Sequence, residues 1–187
     1  HNLGVAPEMM WVKRRDSNSD WNVYNQYVAV DPETDYLVLN NTAGPQDAST
    51  LWNDTAPSSS EFTLGNNSQV NNSGGTYIAY LFASLDNISK MGSYTGNGST
   101  QTIDCGFTSG ARFVLIKRLA SDGWIVFDSV RGITSSSADP YLFLNNTDSE
   151  ATGGNRDLNP TGSGFILNGG SDSINASGDT YIFYAIA

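Results

Sequence analysis

The chain has 187 residues, which is enough for one domain with a sizeable core or for two small ones. Its formal net charge is -10, from 9 basic and 19 acidic side chains, and the basic residues form no stripe. This balance excludes nucleic acid from the expected partners, because such a partner needs a basic face that displaces phosphate counterions. Charged residues make up only 15% of the chain, which is unlike proteins built from long helices.

Short apolar runs separated by turn-forming residues predict strands along the whole chain. They lie near residues 8–15, 21–25, 36–41, 61–65, 76–83, 90–95, 101–105, 111–119, 124–129, 141–145, 164–168 and 180–186. One helical turn is predicted within residues 47–54, with Asp47 at its N-cap. The pattern predicts an all-β fold, specifically an antiparallel β-sandwich of the jelly-roll or lectin-like type.

Several phrases recur along the chain at shifts of 103 to 105 positions. The pairs are WVKRR at 11–15 with LIKRL at 115–119, WNVYN at 21–25 with WIVFD at 124–128, YLVLNNT at 36–42 with YLFLNNT at 141–147, and the runs 62–83 and 165–187. This order predicts a tandem duplication of one unit. The first β-module is expected over residues 1–85 and the second over residues 86–187.

The second module has a lead-in, residues 89–104, that has no counterpart in the first, because a shift of 104 places His1 on Cys105. We therefore expect the first module to lack one or two strands. Either a neighbouring segment of a longer protein supplies them, or a sheet edge stays open. The last strand of each module, at 76–83 and 180–186, is apolar on both faces and is predicted to be central in its sheet.

The repeated phrases are interpreted as structural. Each Asn-Asn pair is expected to end a strand, because Asn tolerates left-handed backbone and can bond its own backbone two residues on. Trp21 and Trp124 recur at matching places and are interpreted as anchors of the repeat. Lys117 lies within a predicted strand, and Asp128 in the next strand is the candidate partner of Lys117 or Arg118.

The loop around Trp52 occurs only in the first module, so the difference between the copies points to it as a binding site. Trp52 is predicted to be exposed, with Asn53 and Asp54 beside it. An exposed ring stacks on the apolar face of a sugar, while amides and carboxylates bond its polar edges. These three residues form the candidate ligand-binding site.

The reactive residues are few. His1 is the only histidine, which argues against a Ser-His-Asp or Cys-His arrangement and against a zinc site. The lone cysteine, Cys105, is interpreted as a packing residue. A glycoside hydrolase needs only two carboxylates, but none of the four glutamates lies in a strand shared by both copies. We therefore expect no enzymatic activity, no cofactor and no metal, with a glycosidase as the weakest alternative.

Long phrases of the second copy, such as GSYTGNGSTQTIDCGFTSGARFVLIKR, WIVFDSVRG and INASGDTYIFYAIA, resemble the C-terminal module of virion structural proteins of tailed bacteriophages. The first copy resembles the module that commonly precedes it. The resemblance covers essentially the whole chain and implies an all-β module of a tail-fibre-like or other virion protein, on the outward-facing surface. It brings no established catalytic or binding residues.

The expected function is therefore that of a phage appendage or capsid-surface module that binds a glycan or another receptor on the host cell. Other virion proteins are expected partners, and a homotrimer is one of the oligomeric states left open. No segment is apolar enough to insert in a membrane. The alternative is a purely architectural spacer or oligomerisation module. Its signature would be large apolar patches at subunit contacts and no polar cleft.

Overall fold

The structure, a computed structural model, describes residues 1–133 and 139–187. Within these residues it contains fourteen strands and two single-turn helices, and all the paired strands run antiparallel. The prediction of an all-β antiparallel fold is confirmed. The chain divides into two compact units, His1–Ala83 and Ser84–Ala187, and each is described by itself.

The first unit is built on one five-stranded sheet. Its elements are β1 (Met9–Arg14), β2 (Trp21–Asn25), β3 (Asp35–Val38), β4 (Gln46–Asp47), α1 (Ser49–Trp52), α2 (Ser68–Asn71) and β5 (Tyr77–Phe82). The strand order is β4-β3-β2-β1-β5, so the first four strands form a meander and the last returns to pair with the first.

One face of this sheet is covered by the two helical turns. Val12 and Tyr24 on the sheet pack against Leu51 and Trp52 of α1 and Val70 of α2, all buried. Because neither turn is long enough to be stable alone, each depends on this apolar contact. The layer opposite the sheet is therefore helical turn and loop in the first unit.

The segment 61–65, predicted as a strand, is irregular. It runs against α1, where Gly65 donates its N–H to the carbonyl of Leu51 at 2.7 Å. A Cβ on Gly65 would lie 2.2 Å from the carbonyl oxygen of Thr50, so only glycine permits this approach. The backbone bonds of the segment thus go to the end of a helical turn instead of to a strand.

The predicted helical turn is present as α1, but its predicted cap is wrong. The N-cap residue is Ala48, and no side chain caps the turn. Asp47 belongs to β4 instead, where it pairs with Asp35 of β3. Strand pairing across a long loop therefore decides the role of this aspartate, and a local capping rule does not detect it.

The second unit is a β-sandwich. Its strands are β6 (Ser89–Thr95), β7 (Gln101–Asp104), β8 (Phe113–Arg118), β9 (Trp124–Asp128), β10 (Pro140–Phe143), β11 (Ala151–Thr152), β12 (Leu158–Pro160), β13 (Gly164–Leu167) and β14 (Thr180–Ile186). A six-stranded sheet has the order β11-β10-β9-β8-β14-β6, and a three-stranded sheet has the order β12-β13-β7. Ile103 and Phe165 of the small sheet share one core with Ile116, Phe127 and Tyr181 of the large sheet.

The two large sheets have the same strand order up to one extra strand. β8 to β11 form a meander like β1 to β4, and β14 pairs with β8 as β5 pairs with β1. β6 then extends the second sheet beyond β14, so residues 180–186 are central as predicted. Residues 76–83 are not central, because no strand in the described part of the chain pairs with the other side of β5. The duplication itself stays a prediction.

The first asparagine of each repeated phrase fixes the start of a neighbouring strand. The side-chain oxygen of Asn40 accepts the backbone N–H of Trp21 at 2.9 Å, and that of Asn145 accepts the N–H of Trp124 at 2.8 Å. Each bond satisfies the backbone donor of the first residue of a strand, whose carbonyl accepts from Leu39 or Leu144 of the neighbouring chain segment. The shared letters therefore mark a shared structural task.

The second asparagine of each phrase forms a turn on its own backbone. Asn41 accepts the N–H of Ala43 at 2.9 Å, and Asn146 accepts that of Asp148 at 3.2 Å. Both are the two-residue bond expected of an Asx turn. The interpretation of these pairs as strand terminators is confirmed.

Replacing Asn145 by alanine should destabilise the protein by about 1–2 kcal/mol, because the N–H of the buried Trp124 then loses its acceptor. Asn40→Ala is the matched control and should cost about 0.5 kcal/mol or less, since Asn40 is exposed and water can replace it. Urea-induced unfolding of the two variants measures the difference. Equal losses would contradict this account.

Candidate functional site

Trp52 is a core residue, and the prediction that it is exposed was wrong. Its side chain is 1% exposed beneath α1. The ring meets Tyr24 edge-on with 6.1 Å between centroids, and its Nε1 donates to the carbonyl of Asp35 at 3.0 Å. The loop around Trp52 therefore supplies a large apolar side chain that covers the sheet of the first unit.

Trp52→Ala should cost about 3–5 kcal/mol of stability, because it opens a cavity in the small core of the first unit. Trp21→Ala is the matched control and should cost less, since the Trp21 ring is only half-buried and lies on the sheet face that stacks on Tyr80. Thermal unfolding compares the two variants. A larger loss for Trp21→Ala would refute the core role of Trp52.

Asn53 and Asp54, in contrast, are exposed and have unusual backbones. Asn53 ends α1 with φ 56° and Asp54 follows with φ 45°, so two consecutive non-glycine residues lie in the left-handed region. Asn and Asp adopt this region more readily than other residues, but each still carries a steric cost. Such backbone is retained where the surrounding structure fixes it, and it is often found at binding sites.

These two residues line an open cleft of about 520 Å³ in the first unit. The other lining residues are Ser49, Thr50, Leu64, Gly65, Asn66 and Asn71. Hydroxyl, amide and carboxylate groups therefore dominate the surface, and no aromatic ring is among them. Of the three predicted site residues, the structure brings Asn53 and Asp54 to the cleft and places Trp52 in the core.

Asn66 and Asn71 had no signal of their own in the sequence. They reach the cleft through the irregular loop around α2, which lies against the end of α1. The side chain of Asn71 donates to the carbonyl of Gly65 at 2.9 Å, which holds that loop in place. Only the tertiary contact between the two helical turns puts these amides beside Asn53.

A second polar hollow, of about 400 Å³, lies beside the β1–β2 loop of the same unit. Its lining residues are Arg14, Ser17, Asn18, Ser19, Asp20, Ser68 and Gln69. The Arg14 guanidinium is already held by Asp16 at 2.7 Å, which weakens this hollow as an anion site. The cleft beside Asn53 is the better candidate because its amides and hydroxyls include no ion pair.

Across residues 1–187 the sequence matches a family described as a domain of unknown function (DUF7483). The chain belongs to this family. No curated protein and no solved structure matches it. The candidate site of this DUF7483 domain is therefore defined by the geometry of its own cleft.

The buried lysine of this DUF7483 domain is satisfied by backbone groups. Lys117 is fully buried, and its Nζ donates to the carbonyls of Arg118 at 2.8 Å, Ala120 at 3.3 Å and Asp122 at 2.7 Å. Burial lowers its pKa to about 8, although the charge of Asp122 opposes the shift. Arg118, next along the strand, pairs with Asp179 at 2.6 Å.

The predicted partnership of Asp128 with Lys117 or Arg118 was wrong. In the β8–β9 pairing Lys117 lies opposite Trp124, whereas Asp128 lies opposite Phe113 at the other end of the hairpin. The carboxylate of Asp128 bonds the guanidinium of Arg131 instead. Knowing that two strands are neighbours does not show which residues face each other, because that depends on the register of the pairing.

The two recurring tryptophans differ in burial. Trp124 is 1% exposed and belongs to the core. Trp21 is half-buried, and its ring stacks on Tyr80 with 6.2 Å between centroids. The matching positions in the sequence thus have different surroundings in the two units.

The lone cysteine of the chain has a buried, protonated thiol. Cys105 is buried, and burial raises its thiol pKa to about 12, with the nearby Asp104 adding to the shift. A thiol that stays protonated is a poor nucleophile.

Within the described ranges no group of three or more His, Cys, Asp or Glu is placed to hold a metal ion. The helices found there are also too short to cross a membrane.

Two carboxyl groups of the second unit lie side by side, and one of them is buried. Asp139 is 1% exposed, and its Oδ2 accepts the backbone N–H of Leu158 at 2.8 Å. Its carboxyl also bonds that of Asp157, and burial together with this neighbour raises the pKa of Asp157 to about 6. The protonated form of the Asp157 carboxyl is therefore favoured beside its acidic neighbour.

The Asp157 carboxyl makes the second unit less stable as the pH rises. Its pKa in the folded state, about 6, lies above the ordinary value of 3.8. The resulting contribution to the free energy of unfolding is therefore fully present below about pH 4 and is lost as the pH rises through about 6. Asp157→Asn should flatten the fall in melting temperature between about pH 4 and pH 7. An unchanged pH dependence in this variant would show that the raised pKa of Asp157 contributes nothing to stability.

Proposed function

We propose that this domain is a non-enzymatic surface module of a bacteriophage virion, on a tail fibre or the capsid, and that it binds a glycan or another receptor on the host cell. The observation that carries the proposal is the open polar cleft at Asn53 and Asp54, formed by a loop that the second copy lacks. The resemblance of both copies to modules of tailed-phage virion proteins supports the setting and the outward-facing location.

The groups that line the cleft suit a polyhydroxylated ligand. Asparagine amides offer both donors and acceptors, hydroxyls offer the same, and the Asp54 carboxylate accepts from two neighbouring hydroxyls of a sugar. Because Trp52 is buried and no ring lines the cleft, affinity comes from hydrogen bonds and is modest for each site. A trimeric or otherwise repeated display on the virion would raise it by avidity.

An architectural role is the second candidate, and a specific observation favours it. Ile78 and Tyr80 of β5 are 36% and 46% exposed on a strand whose outer edge has no partner among the described strands. Such an edge is suited to contacts with other virion proteins. The two roles are compatible, because the cleft lies at α1 and α2.

The glycan proposal is tested on an array of bacterial surface glycans with the double variant Asn53→Gly, Asp54→Gly. Glycine removes the amide and the carboxylate while it keeps both positive φ angles, so the loop retains its shape. Asn155→Gly is the matched control, since Asn155 is also exposed and has φ 57° in the second unit. We expect the double variant to lose binding and the control to keep it.

Two results would count against this proposal. Binding that survives in the double variant would place the receptor site elsewhere on the domain. Absence of binding to every glycan by the folded wild-type protein would reject the glycan and favour the architectural role.

A further inference from the structure

The outer edge of β5 has the hydrogen-bonding groups of a strand that lacks a neighbour. Arg15 donates to the carbonyl of Thr76 at 2.8 Å, which fixes the phase of the β1–β5 ladder. Because alternate residues of an antiparallel strand bond to opposite sides, the backbone groups of Tyr77, Ala79 and Leu81 point away from β1. No strand within the described residues pairs with them.

The second unit contains the same edge in its occupied form. Leu119 donates to the carbonyl of Thr180 at 2.9 Å, which gives β14 the same phase against β8. Tyr181, Phe183 and Ala185 then point to the other side, where β6 pairs with them in antiparallel register. Each of these residues lies 104 positions after Tyr77, Ala79 or Leu81.

The hydrogen bonds of Tyr77 support this correspondence. The Tyr77 hydroxyl accepts the N–H of Asn72 at 2.7 Å and donates to the carbonyl of Ser68 at 2.8 Å. The hydroxyl of Tyr181 accepts from Ala176 at 2.8 Å and donates to Asp172 at 2.6 Å, again 104 positions later. The two strands therefore hold equivalent places in their sheets.

The burial of the two strands differs as the missing neighbour requires. Tyr181 and Ala185 are 0% exposed and Phe183 is 5% exposed. In β5, Tyr77 and Leu81 are only half-buried and Ala79 is exposed, although Tyr77 and Leu81 pack against the core. Apolar surface on the core side of β5 is thus left in contact with solvent.

We propose that the outer edge of β5 accepts a β-strand from another polypeptide, in antiparallel register and with the chemistry of β6. Main-chain bonds to Tyr77, Ala79 and Leu81 give the affinity, as in other cases of strand addition. This inference is independent of the glycan site, because it uses neither Asn53 nor Asp54.

The pairing of β6 with β14 indicates which side chains a strand bound to the β5 edge should carry. Tyr94 of β6 stacks on Tyr181 with 5.0 Å between centroids and 9° between planes, so the partner strand should place an aromatic ring over Tyr77. β6 contains one lysine and no acid. A strand of this kind suits the first unit, which has nine acidic and only three basic side chains.

One position should differ from the template. Gly92 of β6 lies opposite Phe183, and a Cβ there would be 2.8 Å from the Phe183 ring. The corresponding residue of β5 is Ala79, which has no ring to clash. The partner strand is therefore free to carry a large apolar residue at the place where β6 requires glycine.

A fluorescein-labelled peptide with the sequence of residues 87–97 tests the proposal on the whole domain by fluorescence anisotropy. Ala79→Pro should weaken binding by about tenfold or more, since it removes the outward N–H and leaves the β1 ladder intact. Ala79→Ser is the matched control, because it keeps that N–H, and it should bind as the wild type does. Circular dichroism of both variants checks that the sheet is retained.

Peptide variants provide a second test on the wild-type protein, which needs no change in the domain. The peptide variant Gly92→Leu should bind at least as tightly as the parent peptide. The peptide variant Tyr94→Ala should bind about tenfold more weakly than the parent. Weaker binding of the leucine peptide would overturn the proposed register. No binding of the parent peptide at about 1 mM would overturn the proposal itself.

Sedimentation velocity shows whether the β5 edge is occupied by a second copy of this chain instead of by the proposed partner. Equal peptide affinity of the wild type and Ala79→Pro would show that the peptide binds at another edge, which overturns the proposal. Self-association of the wild type that Ala79→Pro abolishes would also overturn it, because the occupant would then be β5 of a second copy. A domain that sediments as a monomer and binds the peptide through β5 supports it.

Discussion

The rest of the structure depends on how each large antiparallel sheet covers its apolar face. A sheet that is apolar on one face must bury that face against another layer. The second unit does so with a three-stranded sheet, and the first with two helical turns anchored by Trp52. This difference in the covering layer gives two sheets of similar strand order different surfaces.

The loop that carries Trp52 contributes both to the core and to the polar cleft of the first unit. Its apolar half fills the core, and the residues that follow, Asn53 and Asp54, are forced into left-handed backbone at the end of α1. Their polar groups then face a cleft that also receives Asn66 and Asn71 from the loop around α2. The cleft thus results from covering the sheet with short helical turns, and it is the receptor site that we propose.

Most of the polar residues that occupy matching places in the two units bond to the backbone of the scaffold. Asn40 and Asn145 hold strand starts, and Lys117 closes the β8–β9 turn by binding three carbonyls. Lys13 bonds the carbonyl of the following residue just as Lys117 does. Groups that are occupied in this way have little capacity left for a ligand, so we propose functions for the cleft and the strand edge of the first unit instead.

The sequence by itself determined the features that depend on near neighbours. Alternating apolar residues and turn formers specified most strands, and the Asn-Asn pairs specified how two of them end, because an Asx turn involves only residues two positions apart. Tertiary structure alone decided burial, register and edge position. Trp52 is buried because it packs on the sheet of the first unit, and Asp128 lies at the end of its hairpin away from Lys117. β5 is an edge strand because no described strand of the first unit corresponds to β6. These outcomes depend on contacts between residues far apart in the chain, which no local pattern encodes.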